Sequence, residues 1–333
     1  MAVVTRTAAY RARLLPRIRI PCPVVSVGNL TAGGTGKTPC VIFLARHLQQ
    51  HGFRPAVLLR GYGRSSGSGL LVASAGRGLL VPAADAGDEA SLLAEALPGI
   101  PVILGRHRVW AATVALSSYG ADLCILDDGY QHLRLSRDLD ILLFDARSPF
   151  GNGALLPRGL LREPPGAAVR ADLIMLTRTD QAQDPEGAAA AIRRLSAGVP
   201  VLWAVHRPVS LTYLAGGGAV PPSALAGQTV AAVSAIGSPE AFEGTLRGLG
   251  ASVAAAFRFP DHYRFRPDDL ERAGREGRTA GANLLVTTAK DRARGSLPSQ
   301  AGGLPVAVLE IEFALTRGQE ALEAALDRLP ERT

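Results

Sequence analysis

Pro23-Val24-Val25-Ser26-Val27-Gly28-Asn29-Leu30-Thr31-Ala32-Gly33-Gly34-Thr35-Gly36-Lys37-Thr38-Pro39 decides the reading of this chain. Residues 23–27 are short, mostly apolar and β-branched, the composition of a buried parallel strand. Glycines at 28, 33, 34 and 36 then allow a tight turn, and Pro39 is tolerated in a first helical turn. Val41-Ile42-Phe43-Leu44 through Leu48 supply an apolar helical face. Strand, glycine loop and helix start together predict a P-loop over Thr31, Ala32, Gly33, Gly34, Thr35, Gly36, Lys37 and Thr38. In such a loop, backbone N–H groups and a helix N-terminus cradle phosphate. Lys37 then reaches the β/γ-phosphates of a nucleotide and the Thr38 hydroxyl ligates Mg²⁺. The strict spacing GxxxxGK[ST] asks for glycine at 31, where this chain has Thr31. The flanking strand and helix therefore have to carry the assignment.

Base usage points the same way. Only two of the 36 basic residues are lysines, Lys37 and Lys290. A lysine kept against such a preference for arginine does something a broad guanidinium cannot, and a narrow phosphate loop is such a place.

Working outward, candidate strands end at Leu58-Leu59, Ile103-Leu104, Ile125-Leu126, Leu143-Phe144, Met175-Leu176 and Ala204-Val205. Helical patterns at 88–97, 106–118 and 186–196 alternate with them. This alternation predicts an α/β fold, a P-loop NTPase-like parallel sheet covered on both faces, with ligands at the C-terminal strand ends. Gly216-Gly217-Gly218 and Pro221-Pro222 read as a break. The expected organisation is a first domain at 1–212, a linker at 213–222 and a second, smaller α/β domain at 223–333.

Composition fits a folded chain, with 47% hydrophobic and 20% charged residues over 333 positions. No apolar run is long enough for a transmembrane helix, and the N-terminus lacks the pattern of a secretory signal. Cys22, Cys40 and Cys124 lack metal spacing and read as reduced core thiols. Arg6, Arg11, Arg13, Arg17 and Arg19 interleave with Tyr10, Leu14, Leu15 and Ile18. That pattern fits either an anionic membrane surface or a solvated basic terminus. No stacking-aromatic pattern supports nucleic acid as a partner.

Three further clusters carry chemistry. Leu123-Cys124-Ile125-Leu126-Asp127-Asp128-Gly129-Tyr130-Gln131-His132 is an apolar strand ending in paired acids. This is the arrangement that sets a carboxylate on Mg²⁺ opposite a P-loop. Gly87-Asp88-Glu89-Ala90 opens a helical pattern, where acids are favoured by the helix dipole alone. Phe259-Pro260-Asp261-His262-Tyr263 lies near a strand end in the second domain. A fourth segment, Thr177-Arg178-Thr179-Asp180, is similar to the guanine-reading [NT]KxD with arginine for lysine, which leaves a GTPase as one alternative. A P-loop kinase of a soluble metabolite and a non-enzymatic nucleotide switch are others.

GNLTAGGTGKTP, LLRGYGR, GDEA, DDGYQH, RDLDILLFDA, FGNGALLPRGLLREP and FPDHYRF occur here in the order seen in the tetraacyldisaccharide 4'-kinases of the lipid A pathway. The resemblance runs from about residue 22 to residue 292. It implies an ATP- and Mg²⁺-dependent kinase that phosphorylates the 4'-hydroxyl of a tetraacylated glucosamine disaccharide 1-phosphate. Such an enzyme would work as a peripheral protein at the cytoplasmic face of the inner membrane. The resemblance makes Asp88 the catalytic base and His262 its partner, with Lys37 and Asp128 also catalytic. It places Thr38, Asp127, Asp128 and Glu163 at the metal, and Arg60, Tyr62, Arg64, Gln131 and His132 near the substrate. With Asp88 and His262 in different domains, closure about the linker is the expected way to assemble the pair. The chain departs from the family pattern at Leu59, where serine is frequent, and at Ala289, where glutamate is frequent.

Overall fold

The computed structural model describes residues 7, 9–10, 12, 14–61, 69–216 and 218–330. In chain order, β1 (Val24–Asn29), α1 (Lys37–Gln50), β2 (Pro55–Leu59) and β3 (Leu71–Ala75) are followed by α2 (Asp88–Ala96) and β4 (Pro101–Leu104). Then come α3 (Arg108–Tyr119), β5 (Leu123–Asp127), β6 (Leu139–Asp145), β7 (Leu173–Thr177), α4 (Pro185–Leu195) and β8 (Val201–Tyr213). β9 (Ala219–Val220), β10 (Thr229–Ser234), α5 (Pro239–Gly248), β11 (Ser252–Arg258), α6 (Pro267–Thr279) and β12 (Leu284–Thr288) follow. The described chain ends with β13 (Gln300–Ala301), β14 (Leu304–Arg317) and α7 (Gln319–Leu326).

The chain divides into two compact units, one of Met1–His206 with Phe313–Thr333 and one of Arg207–Glu312. Both boundaries differ from the sequence reading of 1–212 and 223–333. β14 is a single uninterrupted strand, so composition shows no break where the chain returns to the first unit. The expected linker at 213–222 lies inside the second unit. There Ala219 and Val220 pair antiparallel with Thr212 and Leu211, and Gly217 falls outside the described residues.

In the first unit the strand order is β8-β7-β6-β1-β5-β2-β4-β3. Neighbours run parallel except β3, which is antiparallel to β4. Period-2 alternation divides its side chains between two cores. Val25, Val27, Ile125, Ile141 and Leu143 pack with Leu44 and Leu48 of α1, Leu93 of α2 and Leu322 of α7. On the other face, Cys124 and Leu126 meet Ala111, Ala112 and Ala115 of α3, while Leu142 and Phe144 share a cluster with Ile192 of α4. Each such buried leucine is worth about 2–5 kcal/mol against truncation to alanine. β1 lies between β5 and β6, so the strand order reverses at its carboxyl end. That reversal is where an open α/β sheet forms its ligand crevice.

The second unit repeats the layering around β11-β10-β12-β14, with all three neighbouring pairs parallel. Phe242 and Leu246 of α5 cover one face with Val230, Ala232 and Val286. Leu270 and Ala273 of α6 cover the other with Ala231, Val233 and Leu285. Among the described residues, no helix is long and apolar enough to cross a membrane.

Candidate active site at the glycine loop

The turn between β1 and α1 is held by its own carbonyl oxygens. Asn29 Nδ2 donates to Thr31 O at 2.7 Å and to Thr35 Oγ1 at 2.9 Å. Thr177 Oγ1 donates to Thr35 O at 3.0 Å, and Arg178 Nη2 to Gly34 O at 2.7 Å. With the negative ends of these peptides bound from behind, the loop is electrostatically suited to an anion. Gly33 and Gly36 have φ of 111° and 90°, the left-handed region that penalises other residues. A Cβ at Gly36 would also collide with the His206 ring.

Thr31 is explained by pairing. It forms an antiparallel bridge with Leu161, flanked by Ala32 N→Leu160 O and Arg162 N→Leu30 O, each 2.7 Å. Position 31 is strand-like here, so it has no need of glycine.

Lys37 Nζ lies 3.2 Å from Asn29 Oδ1 and 3.5 Å from Asp128 Oδ1. Arg162 Nη1 is 2.9 Å from both oxygens of Asp128. Burial opposes the charge on Asp128, but Lys37 and Arg162 outweigh it and hold the carboxyl below its usual range. Asp127 behaves oppositely. Burial, Glu89 and Asp128 push its carboxyl up to about 7, against the pull of Lys37 and Arg108. Its Oδ2 is buried with no hydrogen-bond partner. The following Gly129 is required by contact, since a Cβ there would lie 2.6 Å from Leu126 Cβ and 2.7 Å from Ser26 Oγ.

Glu163 is 2% exposed. Arg170 spans its two oxygens at 2.9 Å each, and Gln131 Nε2 adds a bond of 3.1 Å. Gln131 Nε2 also donates to Asn29 O at 3.0 Å, and Arg170 lies 4.5 Å over the Tyr130 ring. These bonds make Glu163 and Gln131 a strut behind the end of β1. A carboxylate beside a bidentate arginine keeps lone pairs to spare, so these bonds are compatible with the metal role that the resemblance implies for Glu163. His132 is half-buried beside them, and its carbonyl accepts from Arg137 Nη1 at 2.8 Å.

Asp88 opens α2 and is half-buried, with Gly87 at φ 83° as its cap. Its neighbour Glu89 is near enough to act on Asp127. Arg60 follows β2 and is exposed; Tyr62 and Arg64 lie outside the described residues. His262 belongs to the second unit, at φ 66°. Its loop is held through Asp261, which meets Lys290 Nζ at 3.2 Å and Arg294 Nη2 at 3.3 Å.

Reading the sequence missed Glu89, Arg108, Arg162, Arg170 and Arg178. The GTPase-like segment turns out to serve the loop. Arg178 is 6% exposed and spends its guanidinium on Asp145 Oδ2, at 2.6 Å, and on Gly34 O.

The family model described as "Tetraacyldisaccharide-1-P 4'-kinase" (LpxK) matches residues 1–331. Proteins named tetraacyldisaccharide 4'-kinase from Anaeromyxobacter dehalogenans (strain 2CP-C) and Geobacter metallireducens are 45% and 41% identical. These alignments cover 98% and 99% of this chain and 86% and 94% of the relatives. A crystal structure of the "apo" form of LpxK from Aquifex aeolicus in complex with ATP is also similar, with TM-score 0.75 and 32% identity. That match covers 98% of this chain and 94% of the other. A glycine loop, a base-paired acid at the end of β5 and a match along nearly the whole length place this chain in the tetraacyldisaccharide-1-P 4'-kinase family.

Proposed function

We propose that this chain transfers the γ-phosphate of ATP to the 4'-hydroxyl of a tetraacylated glucosamine disaccharide 1-phosphate. The observation that carries the reading is Lys37. It stands at the mouth of a loop whose carbonyls are tied back, sharing its charge between Asn29 and Asp128. Phosphoryl transfer needs positioning and charge compensation more than covalent chemistry, and these residues supply both. Lys37 draws charge from the β/γ-phosphates, and Arg162, on both oxygens of Asp128, joins it in favouring the ionised carboxylate.

A divalent cation fits the acids. Asp127 is a buried carboxyl with an unpartnered oxygen and a raised pKa, the state that a cation relieves. Thr38, Asp127 and Asp128 would hold Mg²⁺, which when bound neutralises phosphate charge. Glu163, bridged by Arg170 as Asp128 is by Arg162, would complete this set.

Asp88 is the proposed acceptor of the sugar hydroxyl proton, a role worth about 10²–10⁴ in rate. His262 is proposed to orient that carboxylate and relay the proton. Arg60, Tyr62, Arg64 and His132 are the proposed contacts for the anionic acceptor. The lipid-borne substrate places the work at a membrane, proposed to be the cytoplasmic face of the inner membrane. Leu14, 76% exposed, stands with exposed Leu15 and Arg17 in a segment suited to an anionic surface.

The test is a purified chain with ATP and the tetraacylated disaccharide 1-phosphate in mixed micelles, with the product read by mass and fragmentation. One added phosphate on the 4' position supports the assignment. No product, phosphate elsewhere on the sugar, or equal turnover of a water-soluble sugar without acyl chains would reject it.

A further inference from the structure

At the opposite end of α1 from the glycine loop, two histidines and a glutamate converge. His47 and His51 are one helical turn apart, so they share a face of α1, and α7 presents Glu323 to the same spot. One ligand atom from each of the three lies within 4.8 Å of the other two. We propose that His47, His51 and Glu323 form a binding site for a divalent transition cation of the zinc class.

The hydrogen bond of one imidazole already orients it. His51 Nδ1 lies 2.8 Å from the His47 carbonyl oxygen, which can only accept, so Nδ1 is the donor there. A ring nitrogen donating to a carbonyl is the outer-shell bond that orients metal-binding histidines. His47 Nε2 is 3.2 Å from Glu323 Oε2. Tetrahedral zinc with 2.0–2.1 Å bonds to nitrogen sets its ligand atoms about 3.3–3.4 Å apart. That pair is therefore already near its bound separation, a cation would displace the proton between them, and the exposed His51 is the side chain with room to close in.

The surroundings hold the other two ligands. Phe43 stacks on the His47 ring with centroids 5.8 Å apart. Gln319 Nε2 donates to the second oxygen of Glu323. Leu44 and Leu48 of α1 share a core with Leu322, Ala325 and Leu326 of α7, so the ligands stand on packed helices. Two imidazoles and one carboxylate suit zinc, nickel, cobalt or copper, whereas magnesium and calcium prefer oxygen alone. At 1.5 Å rise per residue, His47 and His51 stand roughly 15 and 21 Å along α1 from Lys37. The cation would tie α7 to the helix that begins at the phosphate loop.

The experiment uses the untagged full chain, stripped with chelator and titrated with ZnCl₂ by calorimetry in buffer free of nucleotide and magnesium. The expected result is one zinc per chain, with affinity at least about tenfold weaker in both His51→Ala and Glu323→Gln. Asp127→Asn should bind this zinc as the parent does, which separates it from any binding at the glycine loop. An anomalous difference peak at the zinc edge among the three side chains gives a second measure, independent of variant folding. Absence of binding at millimolar zinc, unchanged affinity in either His51→Ala or Glu323→Gln, or an anomalous peak only elsewhere overturns the proposal.

Discussion

The two lysines of this chain sit in the same kind of triangle, yet in different electrostatic company. In the first unit Lys37 and Arg162 share Asp128; in the second, Lys290 and Arg294 share Asp261. Beside the first triangle lies Asp127, buried, repelled by its neighbours and with one oxygen unmet. Beside the second lies Asp291, equally buried but met by Thr287, Thr288, Arg294 and the Ala235 N–H. One corner keeps a buried carboxylate unsatisfied, the state proposed above to take a cation. The other is built to hold the His262 loop in place.

Exchanging residues between these roles tests the contrast. The largest effect is expected at Lys37. Lys37→Ala should lower kcat by about 10³–10⁵-fold, the range for losing a charge that stabilises phosphoryl transfer, with an unchanged circular dichroism spectrum. Lys37→Arg should not restore the rate, because a planar fork does not fit the loop; wild-type turnover by the arginine variant would break the comparison. Next is Asp88→Asn, expected to lower kcat about 10²–10⁴-fold with KM for both substrates nearly unchanged. A loss confined to KM would make Asp88 a binding group.

The third test uses pH. A free aspartate titrates near 3.9, and Asp127 in the fold near 7. Between these values the folded state keeps a proton that the unfolded chain has released. The resulting stability is fully present below about pH 4 and is lost as pH rises to about 7. Asp127→Asn should therefore lack this slope and unfold at higher denaturant than the parent at pH 8, by up to about 4 kcal/mol. Parallel pH profiles for the two proteins would show that Asp127 is compensated after all. The smallest effect is expected at Lys290→Ala. Its pair with Asp261 is partly exposed, worth about 0–1 kcal/mol, and kcat should change by less than about tenfold. A collapse of activity there would give the second corner a chemical role equal to the first.

What the sequence disclosed was local. The glycine loop, the acids at the end of β5 and the helix opening at Asp88 are each written in a dozen contiguous residues, and they stand where periodicity and turn chemistry put them. The contacts that the arginines make were not legible. Arg162 reaches an aspartate 34 positions away and Arg178 a carbonyl 144 positions away, and in so arginine-rich a chain none stands out by composition. The second-unit boundary was hidden for a related reason. A strand that passes from one unit to the other keeps its alternation throughout, so nothing in β14 marks the crossing. Arg178 was legible but misleading, since a resemblance of four residues says nothing about which way a buried guanidinium turns.

The ladder joining residues 30–32 to 160–162 has a consequence for how this family can vary. Side chains on a paired strand change sides with each step, so deleting one residue between Leu156 and Leu161 would swing Arg162 away from Asp128 while leaving every glycine of the loop intact. Shortening that turn is thus expected to cost the Arg162–Asp128 pair before it touches the glycines.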